Sequence, residues 1–138
     1  GYYGEKLVLF AQELGLNTCW VAMTYSKIKT AFQVEKGEKL CIVIALGYGE
    51  TQGLPHKSKS MEEVIQLDGP APEWFQKGVE AALLAPTAMN QQKFLFRLDK
   101  NRVSVKAGFG FYTKIDMGIV KYHFEIGAGK EHFQWELS

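Results

Sequence analysis

Apolar positions recur along this chain at two periods, and the changes between them mark out its elements. Tyr3, Leu7, Phe10, Ala11 and Leu14 stand at helical spacing, with Glu5, Lys6, Gln12 and Glu13 on the other side, which predicts an N-terminal helix. Val8 and Leu9 widen the apolar arc, so burial over most of its circumference is expected. Gly15 and Asn17, residues that tolerate a left-handed cap, end it. A short helix from about Ser26 to Phe32 and a turn at Lys36-Gly37-Glu38 follow. Leu40 to Leu46 is an unbroken apolar run, the pattern of a strand buried on both faces.

In the second half, Glu62 to Gln66 reads as one helical turn, and Asp68-Gly69-Pro70-Ala71-Pro72 is the densest break in the chain. Pro72 suits the first position of a helix and Glu73 its first turn. Phe75, Val79, Ala82 and Leu83 then give that helix a buried face, and Pro86 should stop it near Ala85. Phe94 to Leu98, Asp99-Lys100-Asn101 and Arg102 to Lys106 form a strand, a turn and a strand. A last helix opens near Asp116 as N-cap, with Ile119, His123 and Ile126 along one side and Lys121–Glu125 as a surface pair. His123 is expected as a packed, hydrogen-bonded histidine, and His132 to Leu137 as a terminal strand.

Composition narrows the class of function. With 138 residues, 46% of them hydrophobic, one core is affordable. A net charge of +1 gives no reason to expect nucleic acid or an anionic membrane as partner, and no apolar run reaches a membrane span. Cys19 and Cys41 lack metal-ligand spacing and are expected as buried, reduced thiols of a cytoplasmic protein. Gly47, Gly49 and Gly53 are spaced like a loose dinucleotide fingerprint, but Leu54-Pro55-His56-Lys57 is not the helix that fingerprint needs. Gly127-Ala128-Gly129-Lys130 likewise lacks the first glycine and the final Ser or Thr of a P-loop.

The candidate chemistry lies in two loops. Thr87, Asn90, Gln91 and Gln92 place a hydroxyl and three amides directly after a buried helix, groups that donate and accept and suit the edge of a flat heteroaromatic ring. Lys57 and Lys59, two residues apart on an extended segment, point the same way and can flank a phosphate.

Leu84 to Gln92, Leu-Ala-Pro-Thr-Ala-Met-Asn-Gln-Gln, resembles the Ala-Pro-Ser-x-x-Asn-x-Gln signature of the FMN-dependent nitroreductase family. Leu14 to Val21 resembles its Leu-Gly-Leu-Gly-Thr-Cys-Trp segment, the strand ending in Gly47-Tyr48-Gly49 its Ala-Leu-Gly-Tyr strand end, and Asp116-Met117-Gly118-Ile119 the start of its central helix. The resemblance implies an α+β, nitroreductase-like fold, incomplete here, with central helices packed on a small, mainly antiparallel sheet. It implies noncovalent FMN held by Trp20, Val21, Ala22 and Met23 beside the ring, by Lys57 and Lys59 at the phosphate, and by Pro86, Thr87, Ala88 and Asn90. NAD(P)H is the implied electron donor and a nitroaromatic, quinone or similar small molecule the acceptor. No side chain is assigned a catalytic role and no metal is expected, because the flavin carries the chemistry.

The matches come in an unusual order. Residues 1–66 resemble the C-terminal half of one unit and residues 72–138 the N-terminal half of the next, with 67–71 as linker. That order resembles a divergent branch of nitroreductases with two fused half-units, of which this chain would be the C-terminal part. The implied partners are an upstream N-terminal segment carrying the family's arginine motif and, in the assembly, a pseudo-dimer or homodimer. Ala22-Met23 replaces the family's small or acidic pair, which motivates the alternative of a flavin-binding or scaffold protein without turnover.

Overall fold

The computed structural model describes residues 1–26 and 32–136. It has two compact units, one of Gly1–Lys6 with Leu54–Ser138 and one of Leu7–Gly53. Helix α1 (Tyr2–Glu13) contributes residues to both.

In the larger unit, β3 (Ile65–Gln66), β4 (Phe94–Asp99), β5 (Arg102–Ala107) and β6 (Gln134–Trp135) form a sheet in that order. The long ladder between β4 and β5 is antiparallel, and the two short outer ladders are parallel. Alternation decides the faces: Phe94 and Phe96 of β4 and Val103 of β5 are buried, whereas Arg97 and Asp99 point to solvent. Helices α2 (Glu73–Ala82) and α3 (Thr113–Ala128) supply the covering layer. Phe124 of α3 stacks on Phe96 with ring centroids 4.8 Å apart, and Phe75 of α2 meets Phe124 edge-on at 5.6 Å. Edge-to-face and offset pairs of this kind add to the burial term.

Two helical glycines let α2 and α3 approach. A Cβ on Gly78 would lie 2.6 Å from the Phe124 ring, and one on Gly127 would lie 2.3 Å from the Lys77 carbonyl. Gly127, read in the sequence only as part of a failed P-loop, is therefore a packing residue. The predicted α2 face is fully realised, since Phe75, Val79, Ala82 and Leu83 are all buried. The helix itself stops at Ala82, and Leu83 to Ala85 continue in tight turns towards Pro86.

In the smaller unit, β1 (Asn17–Val21) pairs antiparallel with β2 (Val43–Gly47). The run from Leu40 was expected to be buried on both faces, yet its strand begins at Val43 and is half-buried to exposed. A two-stranded ribbon has no second layer of its own to cover both sides. Cys19 faces outward opposite Ala45, and Cys19 and Cys41 are exposed free thiols, against the expected burial.

The face of α1 is also corrected. Of the predicted face Ala11 is buried, but Tyr3, Leu7, Phe10 and Leu14 are exposed, while Glu5 is 1% exposed. Glu5 Oε1 lies 2.7 Å from His123 Nε2, and His123 Nδ1 lies 3.2 Å from the Ala81 carbonyl. A buried carboxylate is tolerated when it is paired, and a histidine on α3 meets that condition here. His123 is packed and hydrogen-bonded as expected.

Glu125 is likewise no surface residue. It is buried, and its carboxylate accepts bonds from Lys130 Nζ at 2.6 Å, Trp135 Nε1 at 2.8 Å and the Tyr2 hydroxyl. Lys121 instead lies over the Trp135 ring, 5.0 Å from its centroid. Burial raises the Glu125 pKa, but those hydrogen bonds outweigh it and leave the carboxyl below its ordinary value. Glu62–Gln66 divides into a 3-10 turn, Met61–Glu63, and β3. The terminal strand is confined to Gln134–Trp135, after a 3-10 turn at Lys130–His132, and Leu137 lies outside the described residues. The short helix expected near 26–32 falls largely on residues 27–31, also outside them.

Candidate cofactor-binding site

Thr87 to Gln92 folds as a 3-10 turn, Ala88–Asn90, whose backbone leaves the right-handed regions three times. Met89, Asn90 and Gln92 have φ of 52°, 51° and 43°. Asparagine tolerates this conformation, but methionine and glutamine do so at a cost of order 1 kcal/mol each. Such a backbone persists only where its surroundings over-determine it, and the surroundings are visible. Thr87 Oγ1 accepts the Gln92 N–H at 3.0 Å, and Gln92 Nε2 donates to Asn90 Oδ1 at 2.7 Å.

The loop is clasped to the lysine segment. Gln92 Nε2 and Asn90 Nδ2 donate to the Lys57 carbonyl at 2.8 and 2.9 Å, and the Lys59 N–H donates to Gln92 Oε1 at 2.8 Å. Lys59 Nζ donates to the Gln92 carbonyl at 3.1 Å, and Ser58 Oγ to the Leu83 carbonyl at 3.1 Å. Two segments some thirty residues apart in sequence, each chosen from its chemistry, therefore lie side by side. The structure assigns the amides differently from the sequence reading: those of Asn90, Gln91 and Gln92 hold the loop together. The Thr87 hydroxyl accepts the Gln92 N–H, and the Lys57 ammonium is exposed with no partner among the described residues.

Asp116 was expected to cap α3. The N-cap is instead Tyr112, itself left-handed at φ 55°. Asp116, one turn in and 4% exposed, turns back to the loop: Oδ1 accepts the Ala88 N–H at 3.1 Å and Oδ2 accepts Gln91 Nε2 at 2.7 Å. Burial pushes its carboxyl above the ordinary value, and those two donors offset only part of the shift. Sequence reasoning missed this role because a carboxylate at a helix start has an obvious local use. The signal available was the run of polar side chains, Gln91 among them, in a loop that needed an anchor.

Trp20 and Val21 close β1 half-buried in the smaller unit, Ala22 follows in a bend, and Met23 is exposed. Pro86, Thr87 and Ala88 are half-buried in the larger unit, and Asn90 is exposed. The charges present suit the anionic end of FMN: the Lys57 ammonium has no partner among the described residues, and the Lys59 ammonium keeps N–H groups to spare beyond its bond to Gln92. Among the described residues no cluster of His, Cys, Asp or Glu could hold a metal ion, and no helix is long and apolar enough to cross a membrane.

This arrangement of helices over a small mixed sheet matches part of a nitroreductase fold. A solved structure from Thermotoga maritima, described as "a putative nitroreductase", matches 91% of this chain with a TM-score of 0.71 at 23% identity. The match covers 52% of that chain, so the present chain spans about half the length of its structural relative. The family model described as "Putative TM nitroreductase" matches residues 1–128, and the chain belongs to that family. The resemblance to this family read from Leu84 to Gln92 and its companion motifs is thereby borne out. No curated protein matches the sequence.

Proposed function

We propose that the full-length protein is an FMN-dependent NAD(P)H oxidoreductase that reduces nitroaromatics, quinones or similar small acceptors. The observation that carries this reading is the clasp between Lys57–Lys59 and Thr87–Gln92. The resemblance gives these two segments to the flavin phosphate and ring, and the chain spends backbone strain to hold them together. In this reading Lys57 and Lys59 face the phosphate, while the Thr87 hydroxyl and the backbone of Pro86, Ala88 and Asn90 border the flavin. Trp20, Val21, Ala22 and Met23 remain in the proposal as the family's ring-bordering segment. When bound, FMN supplies hydride acceptance from NAD(P)H and electron delivery to the acceptor in ping-pong order. The chain's own work is to bind, orient and shield. A cytoplasmic location, an N-terminal segment completing the phosphate site, and a pseudo-dimer or homodimer belong to the same proposal.

The test is direct. Full-length protein mixed with FMN and passed through gel filtration should elute yellow, with flavin absorbance at one equivalent or less per site. A colourless protein after that treatment refutes the proposal. A second reading, a flavin-holding scaffold without turnover, draws on Ala22-Met23 and on the Lys59 ammonium spent on the Gln92 carbonyl. Stopped-flow mixing with NAD(P)H separates the two, since rapid bleaching of the bound flavin is incompatible with a mere scaffold.

A further inference from the structure

His123 is held from two sides at once, and its two contacts need more protons than a neutral ring carries. Nδ1 lies 3.2 Å from the Ala81 carbonyl and Nε2 lies 2.7 Å from Glu5 Oε1. Both partners are acceptors, whereas a neutral imidazole has one N–H. The contacts therefore require one further proton, carried either as imidazolium against carboxylate or as a Glu5 carboxyl donating to Nε2. When that proton leaves to water, a single N–H faces two acceptors, and one contact must open. The packing decides which. Helix α1 is fastened to α3 independently of the pair: a Cβ on Gly118 would lie 2.3 Å from the Tyr2 nitrogen, and the Tyr2 hydroxyl donates to Glu125. Glu5 also offers the charged acceptor, which forms the stronger bond. The Ala81 contact is the one that yields.

Release at Ala81 has a route to the candidate site. Ala81 stands in the last turn of α2, and Leu83, Leu84 and Ala85 continue from it in tight turns towards Pro86. Helix α3 grips that stretch at both ends, with His123 on the Ala81 carbonyl and, two turns earlier, Asp116 on the Ala88 N–H. Among the described residues Glu5 is the charged group bonded to the His123 ring. On α2, Lys77 pairs with Glu73 and Glu80 is exposed; on α1, Lys6 is exposed; on α3, Glu125 binds Lys130 and the Tyr2 hydroxyl. We propose that the Glu5–His123 couple is a proton-operated latch on the α2 end of the Thr87–Gln92 loop, closed while its extra proton is bound and open once that proton is lost. For its ligand the inference rests on the cofactor reading of that loop. With the latch open the loop is less ordered in advance and holds flavin less well.

The experiment uses the full-length protein and its Glu5→Gln variant. The glutamine NH2 can donate to Nε2 while Nδ1–H stays on the Ala81 carbonyl, so this variant keeps the latch closed without the proton. From about pH 5 to about pH 9, hydrogen-exchange protection at Leu83, Leu84 and Ala85, corrected for intrinsic exchange, should fall about tenfold in wild type and stay level in the variant. The imidazole nitrogen resonances of His123 should shift with the same midpoint. FMN retained on gel filtration should fall in step in wild type and hold level in Glu5→Gln. Protection at these amides that ignores pH in wild type overturns the latch, as does a pH dependence unaltered by Glu5→Gln or a His123 ring silent across the change. Should the variant not fold, the wild-type amide and imidazole series decide alone. Amides that loosen while flavin retention holds level overturn the link to the ligand. If the wild type binds no FMN at any pH, the cofactor reading falls, and the amide series still tests the latch by itself.

Discussion

Replacing Asp116 by asparagine tests whether one buried carboxylate organises the candidate site. The new side chain is isosteric and its Oδ1 can still accept the Ala88 N–H, now 3.1 Å from Asp116 Oδ1. At the other position an NH2 group would face Gln91 Nε2, which now donates to Asp116 at 2.7 Å. Two donors cannot satisfy each other. If the Gln91 amide flips to repair that contact, it surrenders its bond to the Phe111 carbonyl. A hydrogen bond to a charged acceptor contributes about 1.5–3 kcal/mol, so a net loss of about 1–2 kcal/mol is expected once relief of the desolvated charge is allowed for. The pH dependence has a definite sign. Burial raises the folded-state pKa of Asp116, so the folded protein holds this proton more tightly than the unfolded chain does. Its contribution is full below the ordinary carboxylate pKa and is lost as pH rises through the raised value. The stability gap between wild type and Asp116→Asn, from urea denaturation of the full-length protein, should therefore widen from neutral pH towards acid. Amide exchange at Ala88 should quicken about tenfold in the variant. A gap that narrows on acidification, with Ala88 exchange unchanged, would refute the reasoning.

Glu125→Gln should behave in the opposite sense. Its folded-state carboxyl is held below the ordinary value, so a deficit of about 2 kcal/mol at neutral pH should shrink as pH falls through the carboxylate range in the same denaturation series. Gly127→Ala inserts a methyl against the Lys77 carbonyl and Ala81; overpacking should outweigh the gain in helix propensity by about 1–2 kcal/mol, seen as a lower Tm. Asn90→Leu removes a donor to the Lys57 carbonyl and should speed FMN loss on gel filtration, whereas a plain surface turn would leave retention unchanged.

What the sequence made legible were periods that local geometry decides alone. The α2 face from Phe75 to Leu83 and the β4–β5 hairpin around Lys100-Asn101 follow from spacing and turn chemistry, and both form as expected. The face of α1 was misread because periodicity finds a stripe without saying which side meets the core. Glu5 is buried by a histidine 118 residues away, and no local pattern announces such a partner. Glu125 was taken for the partner of Lys121, four residues off, when Tyr2, Lys130 and Trp135 claim it. In the site, Lys57, Lys59, Thr87 and Asn90 were chosen for chemistry that could meet a ligand, and the chain does bring their segments together. Gln91, Gln92 and Asp116 hold those segments in place, and that role depends on distances the sequence does not contain.

The Gln91 amide has a consequence for anyone who wishes to retune this protein. One side chain braces two neighbouring loops against a single anchor, so the loops cannot be remodelled independently by altering it. Libraries aimed at the Thr87–Gln92 loop should leave that brace alone. Variants at 91 or 116 would move both walls together and blur every other change in the screen.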